Sequence, residues 1–184
     1  DVTVGADFSM QTTTETKALA AGWNWFSTYC DITLDDLKAA LVEALPGTNS
    51  ITIQSRARNT KYGYNRWRGQ LNSLDVLQMY MIHVNNDCEI TLKGYPIDPG
   101  EHPVTIAEGD NWIGFPFAQN MSVACAFDGF AVNGDIIISQ TASACYSNGT
   151  WKGTLKNLEP GQGYIYKSAA TEDRTFTYPT ESGA

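Results

Sequence analysis

Histidine is scarce, with only His83 and His102 in 184 residues, and neither sits at a spacing that would build a metal site. No Gly-x-Ser-x-Gly elbow, His-Glu-x-x-His helix or phosphate-cradling glycine loop is present, which removes the common signatures of serine hydrolases, zinc peptidases and nucleotide-binding enzymes. The four cysteines, Cys30, Cys88, Cys125 and Cys145, include no Cys-x-x-Cys pair, so no zinc site is expected. No apolar run approaches the roughly 20 residues of a membrane-spanning helix, so no membrane insertion is expected. Lys and Arg number 12 against 20 Asp and Glu, a formal charge of −8, and such a chain lacks the cationic stripe of a general nucleic-acid binder. What is present suits a folded domain. Hydrophobic residues at 42% can supply a core, and 16 Gly, five Trp and nine Tyr favour strands and turns. The chain starts at Asp1 without an initiator Met, as a piece processed or excised from a longer precursor would.

The two halves of the chain resemble each other. Leu19-Ala20-Ala21-Gly22-Trp23-Asn24-Trp25-Phe26-Ser27 matches Ile106-Ala107-Glu108-Gly109-Asp110-Asn111-Trp112-Ile113-Gly114 at a shift of 87. Further on the shift is 84: Ile53, Ser55, Tyr62, Trp67-Arg68-Gly69 and Leu71 meet Ile137, Ser139, Tyr146, Trp151-Lys152-Gly153 and Leu155. Leu74, Gln78 and Tyr80 then meet Leu158, Gln162 and Tyr164, and the halves close on Tyr95-Pro96 and Tyr178-Pro179. Self-similarity at a fixed period is the signature of a structural repeat. The expected organisation is a polar linker or edge segment over 1–16, copy one over 17–98 and copy two over 103–184.

Within copy one, Thr33 followed by Asp36 forms a capping-box pattern, and Leu34, Leu37, Leu41 and Leu45 recur at helical spacing before Pro46-Gly47. That predicts a helix, with a counterpart over Ser122–Phe130. Asp135–Ser139 and Ala142–Tyr146 read as strands, Asn148-Gly149 as the tight turn of a hairpin, and Tyr164–Ser168 and Thr175–Tyr178 as further strands. The expected fold is α+β and strand-rich: two pseudo-symmetric repeats of about five strands and one helix each, packed together.

The pattern Gly-Trp-Asn-Trp, then Trp-(Arg/Lys)-Gly-x-Leu-x-x-Leu-x-Pro-Gly-x-Gly-Tyr, resembles a repeat found in tandem in large secreted or cell-surface proteins of gut Bacteroidetes and related bacteria. The resemblance covers about nine tenths of the chain. Copy two fits almost throughout, whereas copy one has Leu74-Asp75-Val76-Leu77-Gln78-Met79-Tyr80 in place of the Pro-Gly-x-Gly turn. It implies an extracellular or cell-surface location and neighbouring domains of a larger protein, rather than a particular chemistry.

The residues that match between the halves are Trp, Gly, Leu and Tyr, which hold folds and do not transfer protons. No enzyme activity is therefore expected. His83, at the position matching Lys167, reads as an exposed strand residue. The cysteines leave two readings open: buried free thiols acting as small hydrophobes, or disulfides, with Cys30–Cys88 the pairing that would tie copy one together. Asn85-Asn86-Asp87 with Glu89, and Asp128-Gly129 with Asn133-Gly134-Asp135, carry calcium-type oxygens without the regular spacing of a calcium loop, and turn residues look the same. No metal or cofactor is expected.

Two features exceed what folding requires. Arg56, Arg58, Lys61, Arg66 and Arg68 place five of twelve basic residues within 13 positions, whereas 94–151 contains no Lys or Arg and six acids. A strand-turn-strand over Ser55–Asn65 would put Arg56 and Arg58 on one face. Guanidinium groups beside aromatic rings suit carboxylates or sulfates of acidic glycans, and equally an acidic partner surface; exposed basic residues also guard sheet edges. The second feature is aromatic excess. Trp25 and Trp112 match and read as core. Trp23 and Tyr64 meet Asp110 and Asn148, so the fold does not require rings there, and Trp67 adjoins the basic run. These residues imply a non-catalytic accessory module that binds glycan, with Trp23, Tyr64 and Trp67 as platforms and Arg56, Arg58, Arg66 and Arg68 as polar contacts. The alternative is an adhesive or spacer module without a saccharide site.

Overall fold

A computed structural model describes residues 11–180. In chain order the first half runs β1 (Thr13–Leu19), β2 (Gly22–Phe26), β3 (Cys30–Asp31), α1 (Leu34–Ala44), β4 (Ile51–Gln54), β5 (Asn59–Gly63), β6 (Arg66–Gly69), β7 (Tyr80–Val84) and β8 (Cys88–Pro96). The second half runs β9 (Val104–Ile106), β10 (Gly109–Gly114), β11 (Met121–Ser122), α2 (Val123–Ala126), β12 (Ile136–Ile138), β13 (Ser143–Ser147), β14 (Thr150–Gly153), β15 (Asn157–Leu158), β16 (Gly163–Ser168) and β17 (Arg174–Phe176). The chain is strand-rich and α+β. Two five-stranded antiparallel sheets dominate, in the orders β2-β7-β4-β5-β6 and β10-β16-β12-β13-β14. Shorter sheets, β1-β8-β3 and β9-β17 among them, lie beside these. Strand β1, at the edge of its sheet, runs past residue 16, where the expected linker or edge segment ends, and residues 1–10 of that segment lie outside the described part.

Local chemistry explains the elements. Helix α1 begins where Thr33 Oγ1 accepts from the Asp36 amide and Asp36 Oδ2 accepts from the Thr33 amide, a reciprocal cap. Its Leu34, Leu37 and Leu41 are buried in one core with Ile51, Ile53, Ile82, Ile90 and Leu92. Each such burial contributes about 1.5–3 kcal/mol. The second helix is a single turn capped by Ser122, shorter than the expected Ser122–Phe130, because the next residues instead bring Phe127 and Phe130 against Tyr166 and Phe176. The Trp-(Arg/Lys)-Gly pattern also has a steric cause. A Cβ at Gly69 would stand 2.3 Å from the Asn59 carbonyl oxygen, and at Gly153 2.3 Å from that of Ser143.

The Gly-Trp-Asn-Trp segment runs the other way round from the sequence expectation. Asn24 and Asn111 face inward, while Trp25 and Trp112 are half-buried on the opposite face. Each Asn closes a tight turn. The Asn24 side chain accepts from the Ala20 amide and donates to the Ala20, Gly22 and Ile82 carbonyls. Asn111 does the same with Ala107, Gly109 and Tyr166. Four bonds meet the desolvation cost of a buried amide.

The halves meet through backbone contacts. Isolated bridges join Phe26 to Gln162 and Gln78 to Ile113, the Ser27 amide donates to the Gly161 carbonyl, and the Gly114 amide donates to the Leu77 carbonyl. The closing Tyr-Pro pairs do not occupy equivalent places: Tyr95 is exposed, whereas Tyr178 is buried and donates to the Gly114 carbonyl. All four cysteines are unpaired, so Cys30–Cys88 is not a disulfide; only Cys30 is buried and the others are half-buried. No described helix is long and apolar enough to cross a membrane.

Candidate functional site

The β5–β6 hairpin carries the basic residues. Cross-strand register sets Lys61 directly opposite Arg68, and alternation puts Arg66 on the same outward face. Like charges directly opposite on a sheet are destabilising. The ion pairs among the described residues are Lys38–Asp35 and Arg174–Asp135, so none of Arg56, Arg58, Lys61, Arg66 and Arg68 has a carboxylate within 4.0 Å. The hairpin tip is Tyr64-Asn65, with φ of 52° and 59°. The corresponding tip of the other sheet is Asn148-Gly149, residues that adopt this left-handed geometry readily. Tyr64 adopts it at a cost and is 86% exposed, with the Arg68 guanidinium 5.9 Å from its ring centre.

The other sequence-expected residues are dispersed. Arg56 and Arg58 lie in the β4–β5 loop, not on a strand face, because Ser55 Oγ accepts from the Arg58 amide and turns the chain there. Trp67 projects to the core side, opposite to Arg66 and Arg68, packing on Tyr62 under the Lys38 ammonium. Trp23, 45% exposed, sits on the far edge strand, four strand spacings or roughly 19 Å from Arg68. His83 is half-buried with its ring 5.1 Å from that of Trp23, not an exposed strand residue. One outward row therefore reads Trp23, His83, Thr52, Lys61, Arg68, aromatic at one end and cationic at the other.

A second concave region lies where the halves meet. Two adjoining clefts of about 560 Å³ and about 400 Å³ share Gln140 and Gln162. Gln140 bonds the backbone of edge strand β2, donating to the Trp23 carbonyl and accepting from the Trp25 amide. Trp25, Lys17, Asp87 and Glu89 line the larger cleft. On the same strand as Lys17, Glu15 is buried: Thr28 Oγ1 and the Tyr29 amide donate to its Oε2, while Oε1 has no partner among the described residues. Burial pushes the Glu15 carboxyl up and the Lys17 ammonium down from their ordinary values. The sequence pointed away from this region, because Trp25 reads as core when the Asn beside it is taken for a surface residue.

Three of the suggested calcium-type residues serve as turn and packing groups. Asp87 Oδ1 accepts from the Ala21 amide, Asn133 Oδ1 from the Asn148 amide, and Asp135 is buried against Arg174 and Tyr166. Among the described residues no three of His, Cys, Asp and Glu converge as metal ligands. The chain matches no protein-family model, no curated protein and no solved structure, so its chemistry is read from its own residues.

Proposed function

We propose that this chain is a non-catalytic module of a secreted or cell-surface bacterial protein, built from two copies of one unit, that holds an acidic glycan on the β5–β6 hairpin. The observation that carries the reading is the cation cluster: Lys61 opposite Arg68, Arg66 on the same face, and no carboxylate of the described residues within 4.0 Å. An anionic ligand relieves that repulsion, and guanidinium groups bind carboxylate or sulfate bidentately. Tyr64 supports the same site, since an exposed ring in a strained conformation has no role in packing. The location rests on the resemblance of the repeat pattern.

Reciprocal contacts support the two-copy organisation. Phe26 and Gln162 are bridged, and so are their counterparts Ile113 and Gln78, as an axis of twofold symmetry requires. Counterparts also meet each other near such an axis: a Cβ on Gly163 would touch the Met79 side chain, and one on Gly114 would touch Ser27.

A spacer without a saccharide site is the second reading, favoured by the edge position of β6, where Arg66 and Arg68 discourage pairing with another chain. A glycan array separates the two. Binding to sulfated or uronate-rich glycans that is lost in Arg66→Gln/Arg68→Gln is the expected result. Equal binding by that variant, or no acidic glycan bound, would leave the spacer.

A further inference from the structure

We infer that the groove between the halves, floored by Trp25 and Gln162, is a second saccharide site, for a neutral pyranose chain. It does not depend on the hairpin reading.

Shape comes first. The two adjoining clefts, about 560 Å³ and about 400 Å³, each fall within the range of small-molecule sites, which favour junctions between structural units. The two clefts adjoin, because Gln140 and Gln162 line both.

The lining chemistry then selects the ligand. Trp25 stands on the outward face of β2, half-buried, with the nearby edge of the strand fixed by Gln140. A held indole offers a flat apolar surface to the C–H face of a sugar ring at little conformational cost. Among the described residues the Gln162 side-chain amide makes no hydrogen bond, and it is half-buried at the groove, where it can donate to and accept from hydroxyls. Gln140, by contrast, is already engaged at both ends of its amide.

Charge argues against a polyanion. Two ammonium groups, Lys17 and Lys156, face three carboxylates, Asp87, Glu89 and Glu159. That mixed set holds no cation cluster to attract a polyanion, while each carboxylate accepts hydrogen bonds from hydroxyls. Lys17 has no carboxylate of the described residues within 4.0 Å, although Glu15 Oε1 lies on the same side of the Gly161 turn. Its ammonium is thus held near the groove without being neutralised by direct contact, as a hydroxyl-binding donor would be. The hairpin and the groove accordingly take different polymers: one charged, one neutral.

The test is affinity electrophoresis of the whole chain through gels containing mixed-linkage β-glucan, galactomannan or starch, with tryptophan fluorescence titration for Kd. At least one of these is expected to retard the wild type, with retardation unchanged in about 0.5 M NaCl, where exposed ion pairs are screened. Trp25→Ala is expected to weaken binding by about 30-fold, the effect of truncating an aromatic anchor; Trp25→Tyr keeps most of it. Gln162→Ala, which removes no side-chain hydrogen bond among the described residues, gives a second measure if Trp25→Ala melts early. Arg66→Gln/Arg68→Gln is expected to bind the neutral polymer as the wild type does. Failure of all three polymers to retard the chain overturns the inference, and so does retardation that survives in a folded Trp25→Ala or in Gln162→Ala. Loss of neutral binding in the arginine variant would also overturn it, by moving the site to the hairpin. Binding of acidic glycans alone leaves the hairpin reading standing and removes this one.

Discussion

Met79 and Gly163 offer a direct perturbation of the junction between the halves. Met79 is fully buried, and a Cβ built on Gly163 would stand 2.1 Å from its Cγ. The two positions lie 84 apart, the shift that relates the halves, so one counterpart is large where the other is empty. Met79→Gly removes a buried side chain, worth about 2–5 kcal/mol, and adds a glycine penalty of about 0.5–1 kcal/mol. A loss of about 2.5–6 kcal/mol lowers Tm by roughly 5–24 °C in a domain of this size. Gly163→Met alone overfills the site and costs about 1–3 kcal/mol or more. Neither position has a positive φ, so backbone strain does not obscure the result. In the double variant the methionine enters the same space from the other side. If the halves are copies about a twofold axis, stability recovers by at least about 2 kcal/mol over the sum of the single losses. Guanidinium denaturation at constant m-value measures each step. A double variant as unstable as the two losses added together would refute the twofold reasoning.

Three further outcomes follow from buried or strained groups. Burial raises the Asp135 carboxyl, but donation from the Ala169 and Val132 amides, Tyr166 and Arg174 outweighs it and holds the group below its ordinary value. The stability this contributes is present above about pH 4 and lost as pH falls through the native value. Asp135→Asn should therefore cost about 3 kcal/mol at pH 7 and show a flatter loss below pH 4 in denaturation series; an unchanged acid profile would contradict this. Tyr64→Asn should leave stability unchanged or raise it by up to about 1 kcal/mol, since Asn tolerates the left-handed geometry, while acidic-glycan binding weakens several-fold. Retained binding would remove Tyr64 from the site. Burial, with the Glu15 charge adding to it, pushes the Cys30 thiol up to about 11, so maleimide labelling of the folded chain at pH 8 should spare Cys30 in mass spectra. Rapid labelling there would contradict its burial.

Much of the fold is legible from local signals. The Thr33–Asp36 cap, the leucine spacing of α1 and the Asn148-Gly149 turn each bring their own chemistry, and each element forms where the sequence places it. The misreadings arise where a polar side chain takes an inward position. Asn24 satisfies four bonds inside, which turns Trp25 outward; alternation makes the faces exchange together. The β4–β5 turn falls at Ser55–Arg58 because the Ser55 hydroxyl caps it, which carries Arg56 and Arg58 off the strand face. Of the candidate binding residues, Tyr64, Arg66 and Arg68 share the β5–β6 hairpin, whereas the strand-turn-strand expected from the sequence ends at Asn65. The sequence separates neither Trp67, which faces the core, nor Trp23, which lies across the sheet. The groove between the halves depends on contacts over more than 100 residues and leaves no local trace.

Acidic-glycan binding by the β5–β6 hairpin is tested most directly by the salt dependence of Kd for a sulfated or uronate polysaccharide, wild type against Arg66→Gln/Arg68→Gln. The expected result is a wild-type affinity that falls at least about 10-fold between roughly 0.05 and 0.5 M NaCl, and a variant that binds weakly at low salt with little further change. A wild-type Kd insensitive to salt, or the same salt response in the variant, would contradict it.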